Sequence, residues 1–340
     1  MTRALILRKA GPGVTVQDTG RPGYLAFGLS RGGAADRLAL AEGAALLGQD
    51  TGFAALEMAG AGGEFEATDD MRIALTGAVM RAHIDGTAIQ WNAIHRLPIG
   101  ARLTIGAATR GVYGYLHVGG GVQTQPKLGA RSAHLAAGID APLTPGTHLP
   151  IGPDSKAAPV GLRLTPEPRL DGGLIRVVPS LQTNVFAPAE RDRFEATTFR
   201  RDARGNRMGA RILPDGQGFH TETGLTVLSE VIVPGDIQIT GDGTPFILLS
   251  ECQTTGGYPR IGSVLPCDLP RVVQAAPGAT FRFQFLLLED AVAVETAEAQ
   301  RRARLHTTVE PLIRNPHDIA DLLAYQLIDG ATAGDDLERA

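Results

Sequence analysis

The sequence predicts a mainly β protein built from two related β-domains, with a few helices and a helical C-terminal tail. Its 340 residues include 43 Gly and 22 Pro, numbers that favour many short strands joined by tight turns. A proline-glycine turn that precedes an alternating strand occurs twice in each half of the chain, with its glycine at Gly100, Gly146, Gly235 or Gly278. A chain of this length can bury a sizeable core and is long enough for two domains.

The first half begins with a predicted strand at residues 4–7 and then a glycine-rich, loop-like segment. From Ala34 onward, the spacing of Leu38 and Ala45 fits one face of a helix. Asp36 lies near the start of that helix, where a carboxylate can simply complement the helix dipole. A role for Asp36 in binding a ligand is the alternative.

Strands and turns follow throughout residues 53–152, including a predicted hairpin with an Asp85-Gly86 turn. A proline-rich, polar stretch at 154–171 is the candidate boundary between the domains. The predicted division is an N-terminal β-rich domain at 1–160, a C-terminal β-domain at 170–289 and a helical tail at 290–340. Within the tail we expect helices at 293–305 and 319–327, and frayed residues at 333–340.

Composition and charge exclude several classes of function. A formal net charge of -4 provides no general attraction to nucleic acid or to acidic membranes. The apolar run at the start is too short for a signal peptide, and no stretch approaches the ~18 apolar residues of a membrane span. Two cysteines, Cys252 and Cys267, do not make a disulfide framework and indicate a reducing compartment. We therefore expect a soluble, cytoplasmic protein with no nucleic-acid or membrane partner.

Polar side chains without net charge are concentrated in residues 245–274. An apolar run at 246–249, predicted to be a buried strand, leads into Glu251 and then the sequence QTTGGYP. The candidate binding positions in this stretch are Gln253, Thr254, Thr255, Gly256, Gly257, Tyr258 and Asp268. Amides and hydroxyls beside two glycines suit a neutral amide, ureido or lactam group better than a phosphate. The structural alternative is a strand, a polar glycine turn and another strand.

A cluster of basic residues precedes this stretch. Residues 200–211 contain one acid, Asp202, and five arginines: Arg200, Arg201, Arg204, Arg207 and Arg211. Such a cluster can clamp a carboxylate or phosphate through bidentate contacts, although a charged run is more often a solvated face.

Other signatures of catalysis are missing from the sequence. No P-loop, metal-ligand spacing or nucleophile elbow occurs, so we assign no metal and no catalytic residue. The three lysines, Lys9, Lys127 and Lys156, do not stand between methionines, and Leu56-Glu57-Met58 lacks the lysine. The chain therefore carries no covalent biotin. His117 is interpreted as a packed strand residue rather than a base.

Six phrases along the chain resemble one protein family. They are VQDTGRPGY at 16–24, GGAAD at 32–36, LGARS at 128–132, NRMGAR at 206–211, SEVIVPGDIQI at 229–239 and QTTGGYPRIGSV at 253–264. Their order and content are similar to biotin-dependent carboxyltransferases related to allophanate hydrolase subunit 2. Stand-alone members of this family include the C subunit of 5-oxoprolinase and the KipA-like antagonist of a kinase inhibitor.

The resemblance implies two β-barrel-like, cyclophilin-like domains that work beside two partner proteins of the same complex. The expected partners are the B component, which is KipI-like or allophanate hydrolase subunit 1-like, and the A component. The resemblance implies that the complex hydrolyses 5-oxo-L-proline to L-glutamate with ATP as co-substrate. Gln253, Thr254 and Thr255 would then recognise the lactam, and Arg21 or Arg207 would hold its carboxylate.

Two other functions remain open at this point. One is a carboxyltransferase subunit that moves a carboxyl group from carboxybiotin on another chain to a urea-like acceptor. The other is a non-catalytic, KipA-like regulatory partner of a kinase inhibitor. The missing biotinyl lysine counts modestly against carboxyl transfer.

Overall fold

The computed structural model describes residues 3–155, 157–221 and 228–313. The strands of the N-terminal half are β1 Ala4–Ala10, β2 Val14–Gln17, β3 Ala55–Ala59, β4 Gly63–Ala67, β5 Met71–Ile84, β6 Thr87–Ile89, β7 Ile94–Leu97, β8 Arg102–Val118 and β9 His148–Pro150. They form a nine-stranded sheet with the order β2-β3-β8-β4-β1-β9, and β5 pairs with β6, β7 and β8. Every pairing in this sheet is antiparallel.

The strands of the second half are β10 Leu162–Arg163, β11 Gly172–Val178, β12 Phe199–Gly205, β13 Gly209–Pro214, β14 Glu230–Val231, β15 Asp236–Ile239, β16 Pro245–Leu248, β17 Thr255–Gly256, β18 Arg260–Val264, β19 Thr280–Phe285 and β20 Glu310–Pro311. Seven of them close a barrel in the order β11-β18-β15-β16-β13-β12-β19, and the parallel pairing of β19 with β11 completes it. Two small sheets, β10-β20 and β14-β17, lie outside the barrel.

The helices are α1 Arg37–Leu47, α2 Pro188–Ala196, α3 Leu269–Gln274 and α4 Leu288–Ala303. Short 3-10 helices occur at Leu25–Phe27, Leu135–Ala137, Thr183–Val185 and Leu305–Thr308. Among the described residues, no helix has both the length and the apolar character needed to span a membrane.

Two large apolar clusters hold these elements together. One fills the N-terminal sheet and includes the fully buried Leu56, Phe65 and Leu103. The other fills the barrel and extends into the first half, because Tyr115 of β8 and Leu40 of α1 belong to it. The two halves therefore share buried surface, which places their junction inside the molecule.

The predicted fold class is confirmed: the protein is mainly β, with one closed barrel, a half-barrel and few helices. The first strand, the helix after Ala34 and the hairpin at Asp85-Gly86 are all present. All four proline-glycine turns lead into a strand, namely β8, β9, β15 and β19.

The predicted helix at 293–305 corresponds to α4, which begins earlier, at Leu288, and ends at Ala303. The second predicted tail helix, at 319–327, and the frayed end at 333–340 lie outside the described residues. The proline-rich stretch at 154–171 lies between the two large sheets and contains β10. The exact domain limits stay a prediction.

Candidate functional site

A buried polar network lies at the junction of the two halves, beginning at the N-terminus of α1. Asp36 caps this helix, since its carboxylate accepts the Ala39 N–H at 3.1 Å. It also accepts hydrogen bonds of 2.8 Å from Arg169 Nε and from Gln274 Nε2. Arg169 makes a second ion pair, with Glu42, at 2.6 Å. Asp36 thus performs the structural role that its position predicts, while its proposed role in substrate binding stays a prediction.

Tyr115 connects this cap to the next acidic residue of the network. Its hydroxyl accepts the Asp36 backbone N–H at 2.8 Å and donates to the Glu57 carboxylate at 2.6 Å. Burial, together with the charges of Glu57 and Asp36, raises the pKa of the Tyr115 phenol well above its usual value. The hydroxyl therefore stays protonated and remains a donor to Glu57.

Arg207 joins the network from the barrel side. Its Nε donates to Glu251 at 2.5 Å, while Nη1 contacts the Glu57 carboxylate and Nη2 contacts the Gly33 carbonyl. Glu251 also accepts the Ala136 N–H at 3.0 Å. All three guanidinium nitrogens of Arg207 therefore have protein partners, and a substrate carboxylate would compete with two buried carboxylates for them.

Arg21, the other guanidinium predicted to hold a substrate carboxylate, has a different environment. It is only 1% exposed. Its Nη2 contacts the Ser132 carbonyl and its Nε lies 3.5 Å from the Lys127 carbonyl oxygen. Its Nη1 is buried and has no hydrogen-bond partner among the described residues. Of the two arginines predicted to hold a substrate carboxylate, Arg21 is therefore the one that has a guanidinium nitrogen without a partner among the described residues.

The QTTGGYP stretch lies next to this network, two residues after Glu251. Thr255 and Gly256 form the short strand β17, which pairs with β14, at positions where the structural alternative predicted a glycine turn. The side chains of Gln253 and Thr255 are exposed, and Tyr258 is 45% exposed. A surface of uncharged donors and acceptors is therefore available to a ligand or a partner.

The remaining predicted positions have mainly structural contacts. Asp268 lies just before α3 and makes an ion pair of 2.6 Å with Arg176. Gly256 allows close packing, because a Cβ there would lie 2.5 Å from Gln238 Nε2. The structure thus brings Arg207 and Glu251 close to the start of the QTTGGYP stretch. Asp268 instead forms its ion pair with Arg176 of β11.

Three other arginines of the basic cluster form ion pairs. Arg204 and Arg211 both contact Asp202 at 2.8 Å, and Arg200 pairs with Asp215 at 3.1 Å. Arg200 and Arg204 are exposed, as expected for a solvated face, whereas Arg211 is only 19% exposed and Arg201 contacts the Asp202 carbonyl. Arg207 differs because it points into the junction.

Sequence reasoning missed most of the network, including Glu57, Tyr115, Arg169 and Gln274. One signal was present for Glu57, since an acid inside the apolar run of β3 requires a buried cation or donor. No local signal marks Arg169 or Gln274. Within the described ranges, no group of three or more metal-ligating side chains occurs.

Comparison with known proteins gives consistent results. The family model described as carboxyltransferase domain, subdomain A and B, matches residues 27–285. The chain is 35% identical over 293 residues to the C subunit of 5-oxoprolinase from Escherichia coli (strain K12), a match that covers 84% of this chain and 92% of the relative. For the C subunit of 5-oxoprolinase from Haemophilus influenzae (strain ATCC 51907 / DSM 11121 / KW20 / Rd), identity is 32% over 288 residues, with 82% and 89% covered.

Among solved structures, the urea amidolyase of K. lactis superposes with a TM-score of 0.78 at 22% identity. The match covers 93% of this chain but only 21% of the much longer amidolyase chain. At this level of identity the likeness concerns the fold alone.

Proposed function

We propose that this chain, a member of the family described as carboxyltransferase domain, subdomain A and B, is one subunit of a larger complex. The complex that we propose is an ATP-dependent 5-oxoprolinase. The observation that carries the proposal is that two relatives, each named as the C subunit of 5-oxoprolinase, align with nearly their whole length, 92% and 89%. A relative named as one lettered subunit implies that further subunits exist. We propose a KipI-like B component and an A component as the partners.

In this proposal the complex converts 5-oxo-L-proline to L-glutamate. A lactam is resonance-stabilised, so its carbonyl needs activation, which transfer of the ATP γ-phosphoryl group to the carbonyl oxygen would supply. One water then adds to the carbonyl carbon, and the ring C–N bond breaks as the nitrogen takes a proton, which leaves an acyl phosphate. A second water hydrolyses this acyl phosphate to the carboxylate of glutamate and inorganic phosphate. The contribution proposed for this chain is positioning and hydrogen bonding rather than a covalent nucleophile.

The exposed polar surface of the QTTGGYP stretch supports lactam recognition. The Gln253 amide can donate to the lactam oxygen and accept from the lactam N–H, and Thr254 and Thr255 provide further hydroxyl groups. Of the two arginines predicted for the carboxylate, Arg21 fits better than Arg207, because its Nη1 has no partner among the described residues while the nitrogens of Arg207 are occupied. We further propose a cytoplasmic location, because Cys252 and Cys267 are both free thiols.

The first test is glutamate release from 5-oxo-L-proline and ATP by this chain co-expressed with both partner proteins. Omission of each component in turn shows which are required. We expect activity only with all three present. No turnover by a fully assembled complex would contradict the proposal.

Substitution of Gln253 tests the role of the stretch itself. We expect Gln253→Ala to reduce turnover by about tenfold or more, because a hydrogen-bond donor to the developing charge on the lactam is lost. Gln284→Ala is the matched control, since Gln284 is exposed on β19 of the barrel. Equal turnover by the two variants in the assembled complex would show that Gln253 does not recognise substrate.

Carboxyl transfer is the second candidate, favoured by the carboxyltransferase description of the family model. In that case carboxybiotin would come from another chain and the acceptor would be urea-like. Transfer of labelled carboxyl groups to urea, without glutamate formation, would favour this candidate over the first.

A further inference from the structure

A cavity of about 280 Å³ lies between the segment that leads into α1, the barrel and α4. Its walls are largely apolar and include Leu249 and Val273. Three arginines also line it: Arg31 and Arg37 from one segment, and Arg302 from a distant part of the chain. None of the described residues that line this cavity, which we call the arginine cavity, is acidic.

Arg31 and Arg37 have no acidic partner among the described residues, whereas Arg302 forms an ion pair of 2.6 Å with Glu298. Arg31 Nε donates to the Thr19 carbonyl at 2.9 Å, and Arg37 Nη2 lies 3.3 Å from the Gly32 carbonyl oxygen. Neither contact supplies a negative charge. Burial, with the neighbouring charges of Arg31 and Arg302, lowers the pKa of Arg37 to about 10. The group still carries a full charge at neutral pH.

Two buried polar atoms of residues that line the same cavity have no partner among the described residues. They are Nη2 of Arg302, whose Nε is held by Glu298 at 2.6 Å, and the hydroxyl of Ser250. Both groups can donate a hydrogen bond, and a buried donor without an acceptor is unfavourable. An anion in the cavity would satisfy both donors once the two side chains turn toward it, because neither atom has accessible surface in its present position.

We propose that the arginine cavity, rather than Arg21 or Arg207, binds the carboxylate of a small organic acid with a compact apolar body, and that this acid is 5-oxo-L-prolinate. The guanidinium groups and the Ser250 hydroxyl would hold the carboxylate, while the apolar walls would pack against the ring. The existence of an anion site does not depend on the proposed function, whereas the identity of its ligand rests on it. Arg302 lies beyond the family match at 27–285, so the sequence shared by the family does not predict this site.

Binding to the purified full-length chain tests the proposal without requiring turnover. Isothermal titration with 5-oxo-L-prolinate is compared with titrations using 2-pyrrolidinone, which keeps the ring but lacks the carboxylate, and inorganic phosphate. Arg302→Gln removes one guanidinium. Arg304→Gln, at an exposed position at the end of the same helix, is the control with an identical change of charge. Ser250→Ala removes one donor with little change in volume, and provides a second test if Arg302→Gln folds poorly.

We expect 5-oxo-L-prolinate to bind the wild type and Arg304→Gln alike, to bind Arg302→Gln about tenfold more weakly, and to lose affinity in Ser250→Ala. 2-Pyrrolidinone should not bind measurably. Equal affinity for the wild type, Arg302→Gln and Ser250→Ala, or no binding to the wild type, would overturn the proposal. Phosphate binding that depends on Arg302, without binding of 5-oxo-L-prolinate, would also overturn the assignment of a carboxylate ligand.

The glutamate-release assay of the complete complex separates this inference from the proposed function. Binding that depends on Arg302, in a complex that releases no glutamate, would support the cavity and contradict only the proposed function. If the complex turns over but Arg302→Gln binds 5-oxo-L-prolinate as well as the wild type does, the proposed function is supported and the cavity is rejected as the carboxylate site.

Discussion

His117 is a buried residue of β8, and its contacts determine which ring nitrogen carries the proton. Thr76 has one hydroxyl hydrogen, which it donates to the Ala39 carbonyl at 2.9 Å. The 2.8 Å contact between Thr76 Oγ1 and His117 Nε2 must therefore be donated by the imidazole. Gly43 packs so closely that a Cβ there would lie 2.3 Å from the ring. His117 is thus a packed neutral residue, as its place in an apolar strand predicts.

This environment predicts a dependence of stability on pH. Burial lowers the pKa of His117 to about 3, below the value of about 6.5 expected in the unfolded chain, so protonation favours unfolding. The stabilisation is fully present above about pH 6.5 and is lost as the pH falls toward 3, by up to about 1.4 kcal/mol per pH unit.

The substitution His117→Gln tests this dependence, because the amide it introduces could also donate to Thr76 but does not titrate. We expect the variant to lose less stability than the wild type between about pH 7 and pH 5. Urea unfolding at several pH values measures the difference, and parallel pH dependences would contradict it.

At the scale of elements, four proline-glycine turns start strands of both large sheets. Their glycines have positive φ angles, for example 104° at Gly235 and 89° at Gly278, a region that other residues adopt only with strain. The two glycines differ in the room available for a side chain. A Cβ at Gly235 would lie 2.8 Å from the Val264 carbonyl oxygen, whereas no atom of the described residues would lie within 4 Å of one at Gly278.

Alanine substitution at these two turns separates backbone strain from steric overlap. We expect Gly278→Ala to lower the free energy of unfolding by about 1 kcal/mol, which is the cost of a left-handed conformation. Gly235→Ala should lower it by roughly 2 to 4 kcal/mol, because β15 or β18 must also shift. Thermal unfolding of the two variants gives the comparison. Equal losses would mean that the barrel accommodates the extra methyl group freely.

At the scale of the whole molecule, buried ion pairs join the two halves. Arg207, from the turn between β12 and β13 of the barrel, contacts Glu57 of β3 in the N-terminal sheet. Gln274 of α3 donates to Asp36 and to the Tyr113 carbonyl, both at 2.8 Å. Such groups contribute little net stability as intact pairs but become very unfavourable when one partner is removed. The relative position of the halves therefore depends on a few polar residues.

Removal of Arg207 should destabilise the junction. We expect Arg207→Gln to lower the free energy of unfolding by about 3 to 5 kcal/mol, because the Glu57 and Glu251 carboxylates are left without a cation. Arg200→Gln is the control. Its ion pair with Asp215 is exposed, at 59% and 48% of the side chains, and should contribute about 0 to 1 kcal/mol. Thermal unfolding monitored by circular dichroism measures both, and similar changes in Tm would show that the network does not hold the halves together.

The parts of this protein that were predictable depend on neighbours in the chain. The Asp85-Gly86 hairpin, the proline-glycine turns and the cap at Asp36 follow from φ preferences and from side chains that bond to nearby backbone. The family could also be identified, because its phrases are contiguous in sequence. The predicted site residues differ in exposure, since Gln253 and Tyr258 reach the surface while the buried side chains of Arg207 and Asp268 are held in ion pairs.

The amino-acid sequence by itself determined the mainly β class, the one long N-terminal helix and the turns that start the strands. Only the tertiary structure decided which charges meet. Arg207 contacts Glu57 across 150 positions of sequence and Glu251 across 44, and Arg302 reaches the same cavity as Arg31 from the far end of the described chain. The physical reason is the distance along the chain over which each effect acts. Backbone preferences act over a few residues, whereas the partner of a buried charge depends on how strands that are distant in sequence pack together.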